Sequence, residues 1–330
     1  MSLLTIAIPS YNRAHILLEN LRAVVDRLPS WVALLVLDNH SEPKIELDAD
    51  LQARFAARGV PVDIVRNPVN IGAPANIMRC FEHVKTEWMF LCGDDDEILP
   101  EGLEEIRRVF QAQPDLTLIR MSSEFHAYSQ ETNGQGLESY LAQEGTFEHL
   151  LFMSTFIYNV PRCLPHLRFG YMMSLASGAH LAVAMRALQN GGAFHLSPHG
   201  CVKWNDDGGS WSPVDARLNF YHLLDLPLTP DERELLRQKL RAYHNVWREA
   251  LDVLTVYQDS NTLAEARYLR DKALRVHAAF GKDRKMRLAT FLLRALPPLG
   301  AVAFKLLGRL YERKMGRTYS HVFVSRHERL

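Results

Sequence analysis

Between residues 3 and 120 the chain alternates short apolar runs with stretches of helical spacing, and this alternation restricts the possible folds more than any other feature. The runs are LLTIAI (3–8), VALLVLD (32–38), VDIV (62–65), WMFLC (88–92) and LTLIRM (116–121), rich in Leu or β-branched residues and bounded by turn formers. Short runs that are apolar on both faces read as strands covered on both sides. Between them lie AHILLENLRAVVDRL (14–28), a weaker segment around 47–58, APANIMRCFEHVK (73–85) and EGLEEIRRVFQ (101–111), each with apolar residues spaced near the helical period. Strand, helix, strand in repeated succession predicts an open parallel α/β sheet.

Beyond residue 120 the pattern loosens. Residues 122–145 are polar and irregular, as in a loop or small antiparallel excursion, and an apolar mixed pattern resumes over 146–190. AHLAVAMRALQNGG (179–192) predicts a helix with a Gly stop, and AFHLSPHGCVKWNDDGGSWSP (193–213) a strand followed by a Gly-rich loop. Everything after Val214 reads as helix. With 330 residues and 47% hydrophobic content the chain can bury a proper core without cross-links. Its four cysteines, Cys80, Cys92, Cys163 and Cys201, lack CxxC spacing and read as reduced core thiols of a cytoplasmic protein. The first residues, MSLLTIAIPSYNR, have no basic or long apolar leader region, which again points to the cytoplasm. A formal net charge of zero argues against a protein built around nucleic acid.

In open α/β sheets the ligand crevice lies beyond the carboxyl ends of the strands. Three polar motifs fall on that edge: PSYNR after the first strand, DNHSEP after the second and GDDDE after the fourth. The last sets Asp94, Asp95, Asp96 and Glu97 side by side behind a buried strand. Two carboxylates about 4 Å apart repel by about 4 kcal/mol at an effective dielectric near 20. A solvated turn that caps the next helix is the simplest reading of such a cluster, but it does not explain why two other polar turns share the edge. A divalent cation removes the repulsion, and hard oxygen ligands suit Mg²⁺ or Mn²⁺ carrying a diphosphate.

Taken in order, TIAIPSYNR, VLDNHSEP, NPVNIGAPANIMRCFE and WMFLCGDDDEILPEGLEEI resemble the landmarks of family 2 glycosyltransferases with the GT-A nucleotide-diphospho-sugar transferase fold. The resemblance is close over residues 3–120 and looser over 170–213. It implies a GT-A domain over residues 1–213, a helical C-terminal region over 214–330, and metal-dependent, inverting transfer of a sugar from a nucleotide-diphosphate donor, with UDP favoured. Pro9, Tyr11 and Asn12 would then line the base pocket with Arg13 close by, and Asp38 would bond the base or ribose. Asn70 and Gly72 match an Asn-x-Gly turn beside the nucleotide. Asp94 and Asp95 match a DXD-type motif facing ribose and metal, with either Asp95 or Asp96 as principal ligand. His199 is a further candidate ligand, and Trp211 a candidate stacking platform.

The chain departs from the family at the general base. A helix opening on a Glu-Asp pair is expected, and SGAHLAVAMR puts Ala179 and His180 in those places. His180 is one candidate base, since an imidazole near its ordinary pKa suits proton abstraction at neutral pH. A structural histidine capping the helix start is the competing reading, with metal or acceptor contact the third. Asp207, beside Asp206 in the Gly-rich loop, is the other candidate. The missing pair also motivates a different class of function, a nucleotide-sugar-binding or scaffold protein without catalysis. No Walker loop, HExxH, GxSxG, GxGxxG or zinc-spaced Cys/His set occurs.

Residues 271–330 hold 14 Lys or Arg against 4 Asp or Glu. Within them, KMRLATFLLRALPPLGAVAFKLLGRLYERKMGR (285–317) is broken at Pro297 and Pro298 into helices too short to span a bilayer. Basic amphipathic helices suit an anionic membrane surface, so peripheral association with the inner face of the cytoplasmic membrane is expected. Packing on the catalytic core and a homodimer interface are the alternatives. Membrane proximity in turn suggests a glycan acceptor on a polyprenyl-diphosphate carrier, en route to a surface polysaccharide.

Overall fold

A computed structural model of the chain describes residues 3–176, 178–205, 218–243, 263–280 and 284–295. Strands β1 (Leu4–Ser10), β2 (Val32–Asp38), β3 (Val62–Arg66) and β4 (Trp88–Leu91) form as the apolar runs predict. They are parallel, in the order β3-β2-β1-β4. Helices α1 (Ala14–Val24), α2 (Ala49–Arg58), α3 (Ala73–His83) and α4 (Pro100–Ala112) connect them or follow them. The weakly patterned segment becomes α2 because both ends are capped. Asp48 accepts the Leu51 N–H at 2.8 Å, and Gly59 closes the helix in the left-handed conformation. A cap of the first kind contributes about 1 kcal/mol.

The sheet departs from a purely parallel one in its second half. β5 (Glu97–Ile98) is a two-residue strand outside the main sheet, and β6 (Leu116–Ser122), the fifth apolar run, does not pair with β4. Instead β8 (Phe156–Asn159) lies between them, antiparallel to both. Four buried residues, FIYN, are too few for periodicity to separate strand from helix. The polar stretch after β6 supplies an edge strand, β7 (Thr132–Gln135), antiparallel to β9 (Ala193–Gly200), which runs parallel to β6. The full order is β3-β2-β1-β4-β8-β6-β9-β7, a mixed, mainly parallel sheet flanked by helices. β10 (Val202–Lys203) pairs antiparallel with β5 in a small separate ribbon.

Short helices α5 (Leu137–Gln143), α6 (Phe147–Leu151), α7 (Val160–Cys163) and α8 (Leu167–Met172) precede α9 (Ala179–Gln189). The predicted helix near 179–192 is α9, buried over most of its length. All four cysteines are buried free thiols. The contacts divide the chain into two compact units, and the first takes in the described residues to 205 together with 222–236. The second takes in described residues of 218–221 and from 237 onward, and contains helices Leu263–Phe280 and Arg284–Ala295. Among the described residues no helix is long and apolar enough to cross a membrane.

Candidate functional site

Sheet register brings the polar motifs together. β1 is central, pairing with β2 on one side and β4 on the other, so that Ser10 stands opposite Asp38 and Asp38 opposite Arg66. After Leu91 the backbone continues the ladder for one bond, Cys92 N–H to Ala7 O at 3.0 Å, and then turns at Gly93. A side chain on Gly93 would meet Asp96 Oδ2 at 2.7 Å, because the acidic loop folds back over it.

The charges of that loop are met by Arg13. Its Nη1 lies 3.0 Å from Asp94 Oδ1 and its Nη2 donates to Asp95 Oδ2 at 2.7 Å. Ser10 Oγ donates to Asp94 Oδ2 at 2.7 Å, and Asn20 Nδ2 donates to the Asp94 carbonyl at 3.0 Å. Asp96 points the other way, into the protein, where the Ser154 hydroxyl donates to its Oδ2. Ser154 also accepts the Gly93 N–H at 2.8 Å. Burial, with Asp95 adding like-charge repulsion, pushes Asp94 up to about 6 against the opposing pull of Arg13 and Ser10. Burial likewise pushes Asp96 up to about 7, although Ser154 and the Asn205 backbone N–H favour its charged form.

The loop offers carboxylate oxygens of the kind a hard divalent cation takes, but among the described residues no group of three or more His, Cys, Asp or Glu side chains is gathered to hold a metal ion. Asp96 Oδ1 is buried without a hydrogen bond, and burial makes both Asp94 and Asp96 resist ionisation, Asp94 in spite of Arg13. Asp94, Asp95 and Asp96 are the residues that would hold it. His199 lies on β9, outside that loop. It is exposed near the end of β9, and its ring lies where it helps lower the pKa of Glu105 on α4.

Asp38 is placed differently from the expectation of a direct nucleotide contact. Its residue is 0% exposed. Oδ1 accepts the Ser41 N–H at 2.8 Å and Oδ2 accepts Arg66 Nη1 at 2.7 Å. Burial alone would raise its pKa, but the Ser41, Arg66 and Ile45 bonds hold it below the ordinary carboxylate value. The carboxylate therefore builds the 39–45 loop. That loop in turn meets the PSYNR turn, since Asn12 N–H donates to Ser41 Oγ at 2.9 Å and Asn12 Oδ1 accepts the Glu42 N–H at 2.8 Å. Asn12 sits at φ 55°, a conformation that Asn tolerates well. Tyr11 is left exposed at the rim and Pro9 half-buried beneath it.

Asn70 and Gly72 lie on a ladder of amides. Asn70 Oδ1 accepts the Gly72 N–H at 2.9 Å and Asn39 Nδ2 at 2.7 Å. Asn67 Nδ2 donates to both Asn39 Oδ1 and Asn76 Oδ1, and Asn76 Nδ2 donates to the Leu37 carbonyl at 2.9 Å. Gly72 has φ +83°, and a methyl group added to its Cα would find no atom within 4 Å, so backbone conformation rather than space selects glycine. The ladder ties the exposed Asn-x-Gly turn to the end of β2.

The candidate bases fare unequally. His180 is 3% exposed on α9, with its ring edge-on to Phe156 at 5.3 Å. Burial, then the Arg120 guanidinium, push its pKa down to about 3. An enclosed imidazole held neutral is a weak proton acceptor, which weighs against the catalytic reading of His180, but the ring does not cap the helix either: Gly178 is the N-cap, without a side-chain bond, and both ring nitrogens are buried without a hydrogen bond. Asp206, Asp207 and Trp211 lie outside the described residues, as do most of the basic residues 285–317 beyond Ala295. Residues that sequence reasoning missed include Ser10, Asn20, Arg66 and Ser154. Their only signal would have been a polar side chain at the carboxyl end of a strand or inside a helix or turn facing that edge.

The family comparisons agree with this geometry. A family model, "Glycosyl transferase family 2", matches residues 5–161. An uncharacterized glycosyltransferase of Haemophilus influenzae is 23% identical over 188 residues, 57% of this chain and 59% of its own length. The match thus spans about three-fifths of that relative. TarS of S. aureus (residues 1–349) superposes with a TM-score of 0.59 at 13% identity, over 97% of this chain and 93% of that one. The mannosyltransferase PcManGT of Pyrobaculum calidifontis gives 0.50 at 12% identity, over 93% and 87%. At such identities the solved structures establish the GT-A fold. Residues 5–161, which hold β2 to β4, nearly all of β1 and the acidic loop, match glycosyl transferase family 2.

Proposed function

We propose that this chain is a metal-dependent glycosyltransferase that moves a sugar from a nucleotide-diphosphate donor to an acceptor hydroxyl with inversion. The observation that carries the reading is the acidic loop. Asp94, Asp95 and Asp96 follow one another beyond the carboxyl end of β4, beside β1, with the Asp96 Oδ1 buried and left without a hydrogen bond. A bound Mn²⁺ or Mg²⁺ would supply charge neutralisation for the departing diphosphate. The chain's own residues do the rest. Arg13 holds the Asp94 and Asp95 carboxylates in place, and the 11–12 and 70–72 turns line the nucleotide end with backbone groups held by Asp38 and the Asn ladder. In the transfer, the acceptor oxygen bonds to the anomeric carbon as the bond to the diphosphate oxygen breaks. The hydroxyl proton passes to a base, for which Asp207 or Asp206 is the remaining candidate.

Known relatives support the donor class. TarS has been solved with UDP and with UDP-GlcNAc, and PcManGT with GDP-Man and Mn²⁺. UDP is accordingly the favoured nucleotide. We further infer that the acceptor is a glycan of a surface polysaccharide, carried on a polyprenyl diphosphate, and that the basic C-terminal helices rest on an anionic membrane surface or join two copies of the chain. The burial of His180 favours a second reading, a binding or scaffold protein without turnover. Donor hydrolysis separates the two. Slow release of nucleoside diphosphate without acceptor, abolished by Asp95→Ala, supports the enzyme. Donor binding with no turnover, even with pooled lipid-linked acceptors, supports the scaffold.

A further inference from the structure

Trp204 takes no part in the contacts described above, yet it stands beside the acidic loop. It follows β10, whose partner β5 continues directly from that loop, and its neighbour Asn205 turns a backbone N–H toward the Asp96 carboxylate. The residue is 41% exposed, the one tryptophan on the open surface among the described residues. Its ring is nonetheless fixed. Phe125 packs edge-to-face against it at 5.2 Å and 63°, and Phe125 is backed by Phe152 at 5.3 Å and 69°. Glu124 Oε1 accepts the Trp204 backbone N–H at 3.2 Å, which ties a carboxylate to the residue that carries the indole.

We propose that Trp204, with Glu124 at its edge, is the platform for a sugar ring of the acceptor. The proposal rests on the transferase reading above. A pyranose presents a face of aliphatic C–H groups bordered by hydroxyls, so it wants an apolar aromatic surface flanked by a hydrogen-bond acceptor. An exposed indole held rigid by two phenyl rings loses little freedom on binding. A nucleobase would want the same ring, but the placement selects the sugar. The turns assigned to the nucleotide end, 11–12, 39–45 and 70–72, sit on the β2 and β3 side of β1. Trp204 follows the β5–β10 ribbon and packs on Phe125, which follows β6 and is backed by Phe152 ahead of β8, and both of those strands lie on the other side of β4 from β1. A ring there meets what lies on the far side of the diphosphate.

The test is saturation-transfer NMR on the full chain with methyl glycosides of glucose, galactose, mannose and N-acetylglucosamine, with UDP binding in Mn²⁺ recorded on the same samples. At least one glycoside should receive saturation on the protons of one ring face. Trp204→Ala should weaken its binding about tenfold, as loss of a well-formed stack implies, while Trp204→Tyr keeps it and both variants bind UDP like the parent. The proposal is overturned if no glycoside binds a chain that binds UDP, or if Trp204→Ala keeps glycoside binding unchanged. Glycoside binding that depends on Trp204 in a chain that binds no nucleoside diphosphate would uphold the sugar site and overturn the transferase reading instead.

Discussion

Acidification should expose the burial of His180. In the folded chain its pKa lies near 3, and in the unfolded chain it returns to the ordinary 6.5. Because the folded value is depressed, the unfolded state takes up the proton first, and stability falls as pH drops below about 6.5. At pH 5 the unfolded histidine is almost fully protonated and the folded one almost fully neutral. The linkage integral from pH 8 to pH 5 is then about 2 kcal/mol, all of it lost on acidification. Replacing the ring with a similar apolar volume, His180→Leu, removes that contribution and leaves the other titrating groups in place. Urea unfolding midpoints at pH 8 and pH 5 for both proteins isolate it as a difference of differences. The variant should lose about 2 kcal/mol less than the parent on acidification, and should keep donor hydrolysis at neutral pH. Equal pH dependence in the two proteins would mean that the ring is hydrated. Loss of turnover with donor affinity intact would make His180 the base after all. Either result would refute the burial argument.

Ser154→Ala removes the hydroxyl that serves both Asp96 and the Gly93 N–H. It should cost about 1–3 kcal/mol in urea unfolding and weaken Mn²⁺ binding measured by calorimetry, whereas Ser154→Thr should keep more of both. Gly72→Ala meets no atom but must hold φ +83°, so it should destabilise by about 1–2 kcal/mol in urea unfolding without blocking a ligand by bulk. Full-length protein should sediment with anionic liposomes and a chain ending near Lys282 should not. Equal behaviour of the two would remove the membrane proposal.

Much of the crevice could be read from the sequence because chain order and strand direction determine it. Four parallel strands with helices between them must deliver the PSYNR, DNHSEP and GDDDE turns to one edge, and Ser10, Asp38 and the acidic loop meet there. What the sequence could not show is how each polar group is spent. Asp38 reads as a ligand-facing carboxylate, but Ser41 and Arg66 occupy its oxygens. Arg13 reads as a crevice residue, and only the fold reveals it bridging Asp94 and Asp95. Spacing carries no measure of burial depth, so it could not tell an enclosed His180 from an accessible one, and the Phe156 strand that covers the ring is four residues long. That same strand, inserted antiparallel, is why the second half of the sheet departs from the parallel expectation.

The central claim is that Asp94, Asp95 and Asp96 hold a cation and through it a nucleoside diphosphate. A thermal-shift series with UDP, GDP, dTDP and CDP, each with and without Mn²⁺, on the parent and Asp95→Ala, tests it most directly. A ligand at about 100 times its Kd stabilises the folded state by about 2.7 kcal/mol, which is a shift of several degrees. One nucleotide should raise the melting temperature of the parent only when Mn²⁺ is present, and should leave Asp95→Ala unmoved. A series in which no nucleotide shifts the parent, or in which the shift ignores both Mn²⁺ and the Asp95 substitution, would contradict the claim.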